Sequence, residues 1–288
     1  MAPKSSSDHS VCLERSHQMT AICRLRQATH TAGAPSTRRT IVAIAGQVAA
    51  ILFGFLAYMA VRVLARGDRD VALRHGHDVL EFERSIGLDW EHGLQNAVVG
   101  HAAAREVFNA VYAWAYWPAL IGTLAYLWRC DRSLYFRFRN ALAVSGLTGL
   151  VIFAVFPVAP PRMLEGFTDT VSSTSRQHLV AHPAGLVNPY AALPSFHAGW
   201  FLLAALVLGK SIGGWPSRFA GAVAAALMSV AVVVTANHFI IDVAAGITLS
   251  LAGLAVADRL HRATAIDATR NPTSAVDTAG RSLRRAEP

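Results

Sequence analysis

The sequence predicts an all-α integral membrane protein: a six-helix bundle with interfacial helices and one long extracytoplasmic loop. Three observations predict it. Hydrophobic residues make up 53% of the 288 positions and charged residues only 15%, where a soluble domain carries about 25% charge. The mean hydropathy is +0.36, and the apolar residues come in blocks of membrane-spanning length. The basic residues, which give a formal charge of +8, concentrate in alternate connections between those blocks, as expected where one side of the membrane retains positive charge.

The blocks fall near 41–65, 108–128, 140–157, 196–212, 216–236 and 238–258. Residues 1–39 precede the first. They are rich in Ser, Thr, His and Arg and poor in apolar residues, so a disordered cytoplasmic N-terminus is expected. No cleavable signal is evident, and the first span reads as a retained anchor. The membrane domain runs over 40–262. The tail, 263–288, has the same disordered character. Arg15, Arg24, Arg26, Arg38 and Arg39 lie before the first span. Arg129, Arg132, Arg137 and Arg139 follow the second, Lys210 and Arg218 the fourth, and Arg259, Arg262 and Arg270 the sixth. This places both termini in the cytoplasm of a multi-pass protein of the plasma membrane. The charge is suited to lipid head groups rather than to nucleic acid. Cys12, Cys23 and Cys130 show no metal spacing and fall on the cytoplasmic side, so reduced thiols are expected.

The stretch 70–100 is amphipathic and too polar to span. Leu73, Leu80, Ile86, Leu88 and Leu94 recur among charges. It reads as one or two helices, either lying in the outer interface or covering the bundle as an ordinary soluble helical pair. Residues 157–195 form a long connection without helical period, opened by Pro157, Pro160 and Pro161 and closed by Pro189 and Pro194. Long loops of this kind are usually functional or disordered, and the prolines favour a fixed path.

The residues able to carry chemistry stand at span ends. Pro194 and Ser195 precede an apolar helix. Ser is a good N-cap, and the free amides and positive dipole end of such a helix attract phosphate. His197 lies in its first turn. His238 and Asp242 have i, i+4 spacing, which puts them on one helix face. A carboxylate there fixes the imidazole tautomer and leaves the other ring nitrogen free as nucleophile or base. Arg162 ends the proline-rich turn and can clamp a phosphate bidentately. In the charge-derived topology all five stand at one, extracytoplasmic, membrane level. Ionisable groups at such depth are costly and functional by default, and this set fits phosphoryl transfer through a phosphohistidine to or from a membrane lipid phosphate. No cofactor is implied. The site shows no carboxylate cluster of the Mg²⁺ type, although His197, His238 and Asp242 alone would also suit a structural or metal-binding role in a non-enzymatic membrane protein.

At these residues the chain resembles the type 2 phosphatidic acid phosphatase (PAP2) superfamily, over roughly 100–258, and more closely the branch that includes the inositol phosphorylceramide synthases. The Pro-Ser-x-His motif matches Pro194, Ser195, Phe196 and His197. The His-x-x-x-Asp motif matches His238 and Asp242. Pro160-Pro161-Arg162 is the counterpart of a first motif that ends Arg-Pro. The resemblance implies His238 as nucleophile, Asp242 as its orienter, His197 as general acid, and Arg162 with the Ser195 region as phosphate ligands. It implies a lipid-phosphate phosphatase, an inositolphosphotransferase-type enzyme that passes the group to an alcohol, or a degenerate member that binds without turnover. The pattern departs from the superfamily at three positions. Val232 stands where an arginine precedes the nucleophile, Val155 where the first motif has lysine, and Phe196 where glycine is usual. Arg176 is a candidate substitute phosphate ligand. Arg139 is a weaker one, because the topology puts it on the other side.

Overall fold

The computed structural model describes residues 37–64, 67–172 and 188–270. Of the termini expected to be disordered, residues 37–39 and 263–270 are instead helical, continuing the adjoining apolar helices; the rest of them and Arg176 lie outside the described residues. The architecture is all-helical. Helix α1 (Thr37–Leu64) is followed by α2 (Arg69–Ser85), α3 (Glu91–Val99) and α4 (Ala102–Ala110). A π-helical turn (Val111–Ala115) then leads directly into α5 (Tyr116–Cys130). The chain continues with α6 (Arg132–Val155), a 3-10 turn (Pro161–Met163), α7 (Phe196–Ile212), α8 (Trp215–Val234) and α9 (Ile240–Arg270). Three of these are long and apolar enough to cross a membrane: α6, α8 and the stretch Ile240–Ala263 of α9. Ile44–Ala60 and Phe196–Ile212 are apolar but shorter.

The core is built where α5 to α9 meet. Leu127, Tyr135, Phe138, Leu203, Met228 and Val232 fill it, and each is at most 2% exposed. The outward faces are apolar too: Phe53, Leu147, Val151 and Val155 are exposed, as helices facing lipid require. Close helix approach is achieved with small residues, the usual device where lipid removes the hydrophobic drive between helices. Gly199 of α7 and Gly246 of α9 pack backbone to backbone, Gly253 lies against Ala141 and Ser145 of α6, and Gly149 receives the ring of Phe196.

Two expectations are corrected here. Arg132, Arg137 and Arg139 are not in a loop, because α6 starts at Arg132 with Asp131 as its N-cap, accepting from the Leu134 N–H at 3.0 Å. Their charges are accommodated within the helix. Arg137 forms a forked pair with Asp258 of α9, its Nη2 at 2.6 Å from Oδ2, and Arg139 donates to Gln47 of α1 at 2.7 Å. Cys130 is disulfide-bonded rather than reduced. No sequence spacing signalled the pairing.

The polar stretch 70–100 forms two helices. Asp68 caps α2 through the N–H groups of Asp70 and Val71. The inner face of α2 (Ala72, Gly76, Val79, Leu80, Glu83) is buried against the 157–164 turn and α9. Phe82, Ile86, Trp90 and Leu94 remain exposed around the α2–α3 junction. The pair covers the bundle, one of the two roles the sequence left open, and presents apolar side chains on its other side.

Candidate active site

Arg162, Ser195, His197, His238 and Asp242 all lie at one end of the bundle. That end is formed by the C-termini of α6 and α8, the N-termini of α7 and α9, and the α2–α3 pair. The turn between α8 and α9 organises it. The Val232 carbonyl accepts from the N–H groups of both Asn237 and His238, at 3.0 and 3.1 Å. Ala236 adopts a left-handed conformation, φ 54°, which costs a residue with a Cβ roughly 1 kcal/mol. Such strain is held in place only where surrounding contacts over-determine it. Here the Ala236 carbonyl accepts from the Arg162 N–H at 2.9 Å, so the proline-rich turn and the α8–α9 turn are stitched together.

His238 is 6% exposed. Its Nδ1 lies 2.8 Å from the Ala192 carbonyl and 3.5 Å from Asp242 Oδ2. Both neighbours only accept, so Nδ1 carries the proton, and Nε2 is left with its lone pair. The expected i, i+4 pair is thus brought together, in a modified form. His238 precedes α9 rather than lying on it, and Asp242 Oδ2 accepts first from the Phe239 N–H at 2.8 Å. A carbonyl from the segment before α7 is the nearer orienter.

His197, in the first turn of α7, lies with its ring centroid 6.0 Å from that of His238. It is sandwiched against Tyr112 and Tyr116, at 4.7 and 4.3 Å between centroids. Tyr112 lies in the π-helical turn and Tyr116 opens α5, so the two rings, four residues apart, face the same side, and π-bulges concentrate at functional sites. Arg162 donates from Nη1 to Asn237 Oδ1, and its Nε is 3.8 Å from Asp169. Burial pushes its pKa below the ordinary arginine value, countered by Tyr112 and Asp169. The guanidinium still remains protonated.

Ser195 departs from its expected part. It is the N-cap of α7 by position, but its side chain caps nothing. The hydroxyl is fully buried without a hydrogen-bond partner, and its N–H donates to the Asp242 carbonyl at 2.9 Å. In place of a capping bond, Ser195 joins α7 to α9. At two of the three departures from the motif pattern, Val232 is fully buried in the core and Val155 is exposed on the outside of α6. Arg139 stands most of a helix length from Arg162 and is committed to Gln47 and Asn140.

The sequence reading missed several residues of this end. Gln95 of α3 donates to the Thr168 carbonyl at 2.9 Å and accepts from the Thr168 N–H at 3.0 Å. Asn109 of α4 donates to the Thr170 carbonyl at 2.8 Å and accepts from its hydroxyl. Together they pin the 164–172 segment over the site. Glu83 and Glu91 accept from the Ile241 and Ile240 N–H groups at 2.7 and 3.0 Å. One signal was available for these: Glu83 lies on the stripe Ala72, Gly76, Val79, Leu80, and Glu91 shares a face with Gln95 at i, i+4. Among the described residues, no group of three or more His, Cys, Asp or Glu side chains is arranged to hold a metal ion.

Two histidines with one free imidazole nitrogen, an arginine beside them and helix N-termini on either side form an arrangement suited to binding and transferring an anionic group. A family model described as the PAP2 superfamily matches residues 77–256. The match starts within α2, earlier than the motif-bearing stretch suggested. No curated protein and no solved structure matches. The family match spans more than half of the chain and encloses His197, His238, Asp242 and Arg162; the chain belongs to the PAP2 superfamily.

Proposed function

We propose that the protein transfers the phosphoryl group of a membrane lipid phosphate through a phosphohistidine on His238, at the outer leaflet of the plasma membrane. The observation that carries this reading is the His238 environment: Nδ1–H is held by the Ala192 carbonyl and Asp242, and the second imidazole stands alongside. The lipid phosphate binds Arg162 and the start of α7 near Ser195. The Nε2 lone pair of His238 attacks phosphorus, forming the N–P bond as the bond to the leaving oxygen breaks. His197 gives its proton to that oxygen. The positive charge that develops on the His238 ring is stabilised by Asp242. Water or an alcohol, deprotonated by His197, then takes the phosphoryl group and restores His238. Arg162 and the α7 amides stabilise the anionic oxygens in both steps. Arg176 is a further candidate ligand for the phosphate, in place of the basic residues that the superfamily motifs carry where this chain has Val232 and Val155.

Six spans with both termini cytoplasmic remain the topology we propose, on the distribution of basic residues. It puts the site end of the bundle outside and the Arg137–Asp258 end inside. Pinning of the 164–172 segment by Gln95 and Asn109 favours a site screened from water, which suits transfer to an alcohol, as in an inositolphosphotransferase. With water as acceptor the same steps give a phosphatase. The test is phosphate release from a panel of lipid phosphates by purified protein, with and without added polyols, beside His238→Ala. Turnover abolished in the variant, with an acid-labile phosphoenzyme trapped from wild type alone, is the expected result. Equal turnover by wild type and variant would remove His238 from the mechanism. Phosphorylated polyol in place of free phosphate would identify the alcohol as acceptor.

A further inference from the structure

We propose that Glu83 and Glu91 are positioning residues: a buried pair that shares one proton and clamps the first turn of α9, holding Asp242 and His238 in place. The two side chains come from different helices, α2 and α3, and both residues are at most 1% exposed. Each uses one carboxyl oxygen on the α9 N-terminus, Glu83 on the Ile241 N–H and Glu91 on the Ile240 N–H. Asp242 takes the adjacent Phe239 N–H. Three successive donors of one helix start are thus satisfied by three carboxylates.

The second oxygens decide the protonation. Oε2 of Glu83 and Oε2 of Glu91 are buried with no hydrogen-bond partner among the described residues, while their other oxygens hold adjacent N–H groups of one helix turn, so the two carboxyls are neighbours. Two carboxylates cannot bond each other, and like charges at such range cannot both ionise out of water. One proton between them satisfies both oxygens. No metal cluster is present among the described residues to do so instead. The charged groups acting on Glu83 are Glu91 from α3 and Asp242 from α9, both acidic, with His238 beyond Asp242. Burial first, then the bond to Glu91, pushes the Glu83 carboxyl up to about 9.

The clamp joins the exposed apolar junction of α2 and α3 to the reacting histidine, through Ile240 and Ile241 to Asp242. Loss of the proton sets three carboxylates at one helix end against each other, and the first turn of α9 must loosen. A displacement of about 1 Å at a catalytic group costs on the order of 10²-fold in rate.

The kinetic part of the test rests on the phosphoryl-transfer reading; the spectroscopic part does not. In the infrared, the wild-type protein is expected to show a protonated-carboxyl C=O band at neutral pH that disappears above about pH 9, and that is missing from both E83Q and E91Q. In turnover, E83A and E91A are expected to lose 10- to 100-fold in kcat at little change in KM. E83Q and E91Q, whose amides supply the missing N–H, recover most of it and lose the alkaline decline of the wild type. An infrared spectrum of the wild type identical to those of the glutamine variants would overturn the shared proton. Alanine variants with wild-type kcat and pH profile would overturn the positioning role. Should no protein, wild type included, turn over any substrate, the functional reading fails and the infrared arm alone decides the pair.

Discussion

The approach of α9 to α7 at Gly246 gives the sharpest test of how the site is held. Gly246 of α9 faces Ser195 at the start of α7, and a Cβ added there would sit 2.0 Å from the Ser195 carbonyl oxygen, 2.7 Å from its carbon and 3.0 Å from its nitrogen. All three are backbone atoms, so no side-chain rotation relieves the clash. Ordinary contact begins at 3.4 Å, so Gly246→Ala must push the two helices apart locally by about 1 Å or more. The Ser195 N–H bond to the Asp242 carbonyl, 2.9 Å long, lies in the same crossing and is lost or stretched. Overpacking costs about 1–3 kcal/mol and the hydrogen bond about 1 kcal/mol. A melting point lowered by roughly 5–10 °C is therefore expected for a membrane domain of this size. The displacement also separates His197, two residues into α7, from His238, so turnover should fall by about 10²-fold. Gly122→Ala is the control, because nothing lies within 4 Å of its Cβ, and a helical Ala gains up to about 1 kcal/mol over Gly. Thermal unfolding in detergent and initial rates on one substrate suffice. A Gly246→Ala protein that melts and turns over as wild type would refute the claim that this crossing sets the site.

Further outcomes are expected from the same contacts. Arg162→Lys keeps the charge but loses the fork toward Asn237 and Asp169, so kcat/KM should drop about 10- to 100-fold, measured by steady-state kinetics. Tyr116→Leu removes one ring from the His197 stack; kcat should fall by about 10-fold as the imidazole loses its fixed orientation, while the melting point changes by only a few degrees. Alanine replacements at Arg137 and Asp258, taken singly and together, should show a coupling of about 1–2 kcal/mol in unfolding, since the pair is forked and mostly shielded. Finally, Glu83 keeps its proton in the folded protein up to about pH 9 but releases it when unfolded above its ordinary value of 4.5. Between those limits the folded state binds more protons, so stability falls as pH rises. Melting points recorded across that window should decline with pH less steeply in Glu83→Gln than in wild type.

Much of this arrangement was legible because a membrane enforces strong patterns. Apolar blocks of fixed length give helices, and polar residues at their ends are conspicuous by cost. Ser195, His197, His238, Asp242 and Arg162 were visible for that reason, and the block at 196–212 coincides with α7. The start of α6 was misread because arginines look like loop residues until their partners are known. Asp258 lies 121 positions from Arg137, and no local pattern announces that their charges cancel. Ser195 looked like a capping residue because its local sequence says so, while its actual bond, to the Asp242 carbonyl, comes from another helix.

The deeper misses share one physical origin. Tyr112 and Tyr116 lie four apart within an apolar block, so they read as core residues and nothing local announces that their rings meet His197. Glu83 and Glu91 were charged residues in a charged stretch, and charge at a helix surface ordinarily means solvent. Their burial becomes intelligible only when the α9 N-terminus is placed above them with the Ile240 and Ile241 donors otherwise unmet. An N-terminus buried against protein must find acceptors. In this chain, α9 begins directly after the catalytic-candidate turn, with one carboxylate of its own, Asp242, already turned back onto the Phe239 N–H. The remaining acceptors had to come from elsewhere in the chain. Among the described residues, the amphipathic stretch that precedes the motifs is polar enough to supply them and is positioned at that end of the bundle. The question to ask of such a sequence is therefore which acidic residue falls on an apolar stripe, and which distant helix start needs it.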